Sequence, residues 1–150
     1  MLSTMDGSMF DQVAIGGGAS LVNLIIHAIL MGAIVSTARR LADTDTSFPG
    51  FAQYTLVIVA TGTLLVIGHF FEVVVWAYTY KWVGATPPNT DLVYFAFGNY
   101  TTLGYGDVLP LPQWHLLGPM TALNGVLLIG WSTALIFEIV RRSVRQPENP

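Results

Sequence analysis

The chain has no cysteine, and only 10% of its 150 residues are charged. Without a thiol there is no disulfide frame, no thiolate metal site and no cysteine nucleophile. Soluble domains carry about 25% charged residues. Six Lys/Arg and nine Asp/Glu cannot wet the surface of a chain this size, which argues against a soluble globular enzyme. There is no basic run and the net charge is −3, so nucleic acid is not an expected partner. His27, His69 and His115 are scattered without metal-type spacing. No phosphate-binding glycine loop and no nucleophile–base pair is present, and neither covalent chemistry nor a cofactor is expected.

The chain does have long apolar blocks. A hydrocarbon core about 30 Å thick is crossed by about 20 apolar residues in a helix. Three segments qualify, 13–36, 54–80 and 116–140. Asn23, His27 and the small-residue cluster 16–20 interrupt the first, His69 and Glu72 the second, Asn124 and Glu138 the third. None alternates with period two, which disfavours a β-barrel. Residues 1–12 carry Asp6 and Asp11 and no Lys or Arg. A secretory signal begins with positive charge, so the first span is expected to be retained.

Arg39 and Arg40 follow span one, and Arg141, Arg142 and Arg145 follow span three, whereas Lys81 is the single Lys or Arg between spans two and three. The positive-inside rule then puts 37–53 and 141–150 in the cytoplasm, with the N-terminus and 81–115 outside. Tyr78, Tyr80, Trp82 and Trp114 are expected at the outer interface, and Phe48, Phe51 and Tyr54 at the inner one. Turn signals stand at 47–50 and 86–90. The expected organisation is an N-terminal segment with an extra helix (1–36), a cytoplasmic linker (37–53), a larger membrane unit (54–140) and a short tail (141–150), with no repeat and no soluble domain.

Residues 89–112 are too apolar for an ordinary loop. Asn89 or Thr90 can cap a helix with Asp91 in its first turn, where a negative charge suits the dipole. Such a helix over 90–100 is about 15 Å long, enough to enter half a membrane but not to cross it. Gly98 and Gly104 then let the chain turn back. Directly after this helix stands Thr101-Thr102-Leu103-Gly104-Tyr105-Gly106-Asp107. Non-helical backbone at membrane depth survives only buried in protein or lining a water-filled path. Gly104 and Gly106 open backbone angles closed to other residues. Successive carbonyls can then face one side, and four copies around an axis would stack rings of oxygens in place of a cation's water.

This string resembles the selectivity-filter signature of potassium channels, T-T-V-G-Y-G-D, with Leu103 in place of Val. Tyr94 and Phe95 fall where that family has pore-helix aromatics that brace the filter, and Pro110 and Trp114 where many members place a Pro and a Trp. The match covers about 51–142 and is similar to compact prokaryotic ion channels. It implies an all-α membrane protein with three transmembrane helices plus a re-entrant pore helix and selectivity filter. The outer helix would be 54–80, the pore helix 90–100, the filter 101–107 and the inner helix 116–140. Thr101, Thr102, Leu103, Gly104, Tyr105 and Gly106 would form the filter, with K+ held by oxygens of Thr102, Leu103, Gly104 and Tyr105. Asp107 would shape the outer mouth. One loop per chain implies a homotetramer. The expected function is passive, potassium-selective conduction across a cell membrane, with the bilayer and K+ as partners. A poorly selective cation channel and a non-conducting membrane scaffold or accessory subunit are the alternatives.

Two departures from the family pattern matter. Leu103 for Val is mild, because the filter uses that residue's carbonyl. Gly98 lies where some members have a buried acid that pairs with the acid after the filter. Asp107 therefore needs another partner, for which the Tyr94 hydroxyl is the candidate.

Ionisable groups inside a membrane are functional candidates. His69 and Glu72 share one helix face at i, i+3. They either hold span two to a neighbour, or Glu72 supplies the acid that Gly98 does not, with gating made pH-sensitive through His69. On span three, Asn124, Leu127, Trp131, Ala134 or Leu135, and Glu138 recur at helical spacing. Asn124 either rings a cavity or bonds between helices. Gly125 and Gly130 are either hinges or close-packing positions. Glu138 either rings the cytoplasmic mouth or pairs with Arg141 or Arg142. Trp131 is expected to pack between subunits. Asn23 and His27 are expected to tie span one to spans two or three. No Arg-rich sensor helix is present, so steep voltage dependence is not expected.

Overall fold

A computed structural model describes residues 8–42 and 50–144. Most of the turn signal at 47–50, Phe48 and Arg145 lie outside the described residues. The described residues form four α-helices: α1 (Met9–Ala42), α2 (Gly50–Val83), α3 (Leu92–Tyr100) and α4 (Leu117–Val144). A 3-10 turn at Pro112–Trp114 precedes α4. No strand occurs among the described residues. Three helices are long and apolar enough to cross a membrane. They run beyond the apolar blocks, because polar helix formers such as Gln12, Arg39 and Lys81 continue the hydrogen-bond ladder past the hydrocarbon.

Local chemistry sets the ends. The Ser8 hydroxyl accepts from the Asp11 backbone N–H at 3.2 Å and donates to its carboxylate at 2.8 Å, closing the start of α1. Helix α2 stops at Gly84, whose φ of 64° suits a residue without Cβ. There Ala85 N donates to Tyr80 O at 3.0 Å and Gly84 N to Lys81 O at 3.3 Å, the paired bonds of a Schellman end. The cap of α3 is Asp91 rather than Asn89 or Thr90: its carboxylate accepts from the N–H of Val93 and Tyr94, each at 3.1 Å. Asn89 is spent on a left-handed turn (φ 63°) and the Thr90 hydroxyl on Pro87 O.

Helix α1 packs on both α2 and α4, and α3 lies between α2 and α4. Each long helix buries one stripe. On α1 it is Gln12, Ile15, Ala19, Asn23, His27, Met31 and Ile34, at steps of three and four. On α4 it is Leu117, Thr121, Asn124, Leu128, Ser132 and Ile139. One apolar cluster, with Val73, Trp76, Tyr80, Phe95, Tyr100, Trp114 and Leu117, holds α3 against α2 and the start of α4. A second, with Met31, Ile34, Val57, Leu65 and Ile139, closes the opposite end. Two expected interface aromatics therefore belong inside. Tyr80 and Trp114 are buried, and only Tyr78 and Trp82 of that group are exposed. Tyr80 has a polar reason, since its hydroxyl meets the Thr121 hydroxyl at 2.6 Å.

Gly125 is a close-packing position: a Cβ there would fall on the Tyr100 carbonyl. Nothing comparable faces Gly130. Gly125→Val should force α4 away from the end of α3, an overpacking cost of about 1–3 kcal/mol. The expected outcome is a lower unfolding midpoint in detergent for Gly125→Val, with Gly130→Ala close to wild type.

Candidate functional site

Residues 101–107 leave α3 without regular structure. The segment is pinned to its helix: Thr101 N donates to Phe97 O and Thr102 N to Asn99 O, both at 3.0 Å, and Gly104 N reaches back to Gly98 O at 3.2 Å. Positive φ recurs at alternate positions: Thr102 at 60°, Gly104 at 46° and Gly106 at 79°. Leu103 and Tyr105 between them are not in that region. A chain that alternates handedness residue by residue turns successive carbonyls toward one side rather than alternately to two. A non-glycine residue at positive φ is uncommon, so Thr102 carries local strain held by its surroundings.

All of 101–107 is exposed on the single chain, with Leu103 57% and Tyr105 70% accessible. An adjoining cleft of about 560 Å³ is lined by Gly98, Thr102, Gly104, Pro110, Gly118 and Ala122. Tyr94 lines one small crevice together with Phe95, Gly98, Tyr105 and Asp107. Phe95 is buried and meets Tyr80 edge-on at 4.9 Å, so it braces α3 against α2.

Behind α3 lies a buried polar cluster. Glu72 is fully enclosed. Its Oε1 stands 2.8 Å from His27 Nδ1 on α1, and its Oε2 stands 2.8 Å from His69 Nδ1. The Tyr100 hydroxyl, at the end of α3, donates to the same Oε2. His69 Nδ1 also reaches the Tyr100 hydroxyl at 2.9 Å, and His69 Nε2 reaches the Ser132 hydroxyl of α4 at 2.9 Å. Through Glu72 and His69 the cluster joins all four helices. A layer further along, Asn23 Nδ2 donates to Glu72 O at 3.1 Å and to Asn124 Oδ1 at 3.0 Å, and Trp76 Nε1 donates to the same Asn124 oxygen at 3.0 Å.

His27, His69 and Glu72 hold their ligand-type atoms within 4.8 Å of one another, which spacing along the chain did not reveal. Two ligands of one tetrahedral zinc, at about 2.0–2.2 Å from the metal, stand about 3.3 Å apart. Both imidazole–carboxylate contacts are 2.8 Å, the spacing of hydrogen bonds.

The ion-channel family matches residues 68–142, half of the chain. The protein belongs to that family. The matched stretch runs from the C-terminal half of α2 through α3 and the 101–107 segment into the last turn of α4, the two-helix, potassium-channel-like type of domain. No curated protein and no solved structure matches the chain. With three helices fit to cross a membrane, the channel is a multi-pass membrane protein.

For several candidate residues the contacts within one chain separate the alternatives. Asn124 does not face an open cavity. It is 3% exposed and bonded to α1 and α2, because the stripe that α4 buries passes through 121, 124, 128 and 132. Leu127 and Trp131, expected on the same face as Asn124, are exposed instead. Trp131 also borders His27 of its own chain at 5.4 Å between ring centres. Gly125 is a packing position, not a hinge. Glu138 is paired within its helix, at 2.7 Å from Arg141 Nη2. Asn23 and His27 tie span one to the other helices. The sequence did not single out Tyr100, Ser132 or Trp76. The one available signal for Tyr100 was its place at the last turn of α3, directly before the glycine string.

Leaving a buried polar group without its hydrogen-bond partner costs about 1–3 kcal/mol. Glu72→Ala strips two imidazoles and a phenol of their acceptor and should lower the unfolding midpoint far more than Glu72→Gln, which keeps one oxygen. Melting of the detergent-solubilised channel by tryptophan fluorescence checks the order.

Proposed function

We propose that the channel is potassium-selective and conducts passively as a homotetramer, with residues 101–106 of four chains forming the filter. The observation that carries this reading is the alternation of positive φ at Thr102, Gly104 and Gly106 within the string Thr-Thr-Leu-Gly-Tyr-Gly-Asp. It favours carbonyl oxygens of Thr102, Leu103, Gly104 and Tyr105 turned to one side. Four such strands around an axis supply stacked oxygen cages that replace the hydration shell of K+. The Leu103 and Tyr105 side chains then point away from the axis into neighbouring protein. That accounts for their exposure on a single chain, as it does for the cleft beside Gly98 and Gly118, which a second copy fills.

In this reading α3 is a re-entrant pore helix whose negative C-terminal end favours a cation near the membrane centre. Asp107, beside Tyr94 in the same crevice, forms the outer mouth. The exposed stripe of α4 containing Leu123, Val126, Leu127 and Trp131 is the surface left for the cavity and for neighbouring chains. The charge pattern supports an outside N-terminus and a cytoplasmic C-terminus in a cell membrane. No cofactor enters this scheme, and K+ is the permeant ion.

Rb+ uptake into liposomes holding the purified channel, with bi-ionic K+/Na+ reversal potentials, tests the proposal. Wild type should pass Rb+ and prefer K+ over Na+ by about 100-fold, a difference of about 2.7 kcal/mol. Gly104→Ala, which puts a Cβ at a positive φ, should abolish uptake. Equal K+ and Na+ permeability would favour a poorly selective cation pore. No flux from wild type, with Gly104→Ala indistinguishable from it, would favour a scaffold.

A further inference from the structure

The cluster around Glu72 is more than a tie between helices. Its hydrogen atoms can be assigned from its contacts, and the assignment leaves one place for an added proton. With Glu72 ionised, both imidazole Nδ1 atoms must carry hydrogen, since a lone pair at 2.8 Å from a carboxylate oxygen would repel it. Tyr100 spends its single hydrogen on Glu72 Oε2, so its oxygen accepts a share of the His69 Nδ1 hydrogen. Each neutral ring then keeps its lone pair at Nε2. At His27 that atom is buried with no hydrogen-bond partner. At His69 it faces the Ser132 hydroxyl at 2.9 Å, and the His69 side chain is 19% exposed while those of His27 and Glu72 are fully enclosed.

We propose that this cluster is a one-proton binding site that regulates the filter, with the proton taken up at His69 Nε2. The proposal rests on reading the protein as a potassium channel. A hydroxyl both donates and accepts. On protonation Ser132 turns from donor to acceptor, and the new N–H loses no partner. His27 Nε2 has no such group and stays as it is. The carboxylate with two neutral imidazoles carries a charge of −1, and one added proton makes the cluster neutral. The groups that face His69 are His27 from α1, Glu72 from its own helix, Tyr100 from α3 and Ser132 from α4, and of these only His27, Glu72 and Tyr100 can titrate.

The cluster is joined to the filter by Tyr100. This residue ends α3, its hydroxyl lies in the cluster, and its carbonyl is packed against Gly125 immediately before Thr101. In the unprotonated state the uncompensated charge of Glu72 adds to the negative end of α3 and favours a cation in the inner filter. Protonation removes that charge. Acidification should therefore lower conduction.

Rb+ uptake by the full channel in liposomes buffered alike on both sides reads the effect. Uptake should fall about fivefold between about pH 8 and pH 5.5, the order expected for one charge at partly screened range. His69→Gln keeps an amide for Ser132 and Glu72 but binds no proton, and its uptake should be flat. His27→Gln should keep the wild-type response. Solid-state NMR of 15N-histidine channel, assigned with the same two variants, should show Nε2 of His69 gaining a proton over that interval while His27 does not. Wild-type uptake that is robust and flat, or a pH response surviving in His69→Gln, overturns the proposal. Absent uptake at every pH with His69 Nε2 still titrating would overturn the channel reading while leaving the proton site standing.

Discussion

Peptide groups without helical partners have nowhere to hide in hydrocarbon. Residues 101–107 lack regular structure and are set between two helices long enough to cross a membrane, in an ion-channel domain. The rest of the molecule can be understood as the means of holding that stretch. The α2 end at Gly84, the Asp91 cap and the bond from Leu111 N to Ala85 O at 2.8 Å fix where α3 begins and where the chain leaves it. Phe95 against Tyr80, and Tyr100 against Gly125, press α3 onto its two long neighbours. Only then can Thr102 be kept at a backbone angle that it disfavours in isolation.

The second requirement is charge. A carboxylate with no solvent contact is tolerated when hydrogen-bonded by several donors. Glu72 has them from α1, from its own helix and from α3. This gives the additional helix a defined place. α1 is part of the polar interior of the channel, through His27 to Glu72, Asn23 to Asn124, and Gln12, whose side chain accepts from Leu116 N at 2.8 Å. Buried polar contacts of this kind specify register more than they add stability. An apolar helix in the same groove would slide or rotate at little cost.

Much of this was legible in the residues alone, for identifiable reasons. The three long helices follow from apolar length, and α3 from an apolar run too short to cross, followed by glycines. The 101–107 string is local, so its backbone demands could be read from Gly104 and Gly106 without knowing any neighbour. The partners of the polar residues could not. His27, His69 and Glu72 were each visible as ionisable groups inside spans. That they meet depends on the rotation and register of α1 against α2, which packing decides. Asn124 shows the same gap. Its spacing from Leu127 and Trp131 is helical, but spacing defines a stripe only up to rotation about the axis, and α4 turns the side with Thr121 and Leu128 inward. Tyr80 and Trp114 looked like interface aromatics because their position along the spans was right, whereas burial against α3 governs them. The cap of α3 falls later than Asn89 or Thr90 would put it, because Asn89 takes a left-handed turn and the Thr90 hydroxyl bonds Pro87 O, which leaves Asp91.

The central claim is that peptide oxygens at 102–105, brought together from four chains, stand in for the water around a monovalent cation. The most direct measurement is a cryo-electron microscopy map of the channel in lipid nanodiscs with K+ as the only metal cation. The account predicts a fourfold particle with density on the axis between successive carbonyl rings. A monomer or dimer, with residues 101–107 turned toward lipid or packed inside one chain, would contradict it.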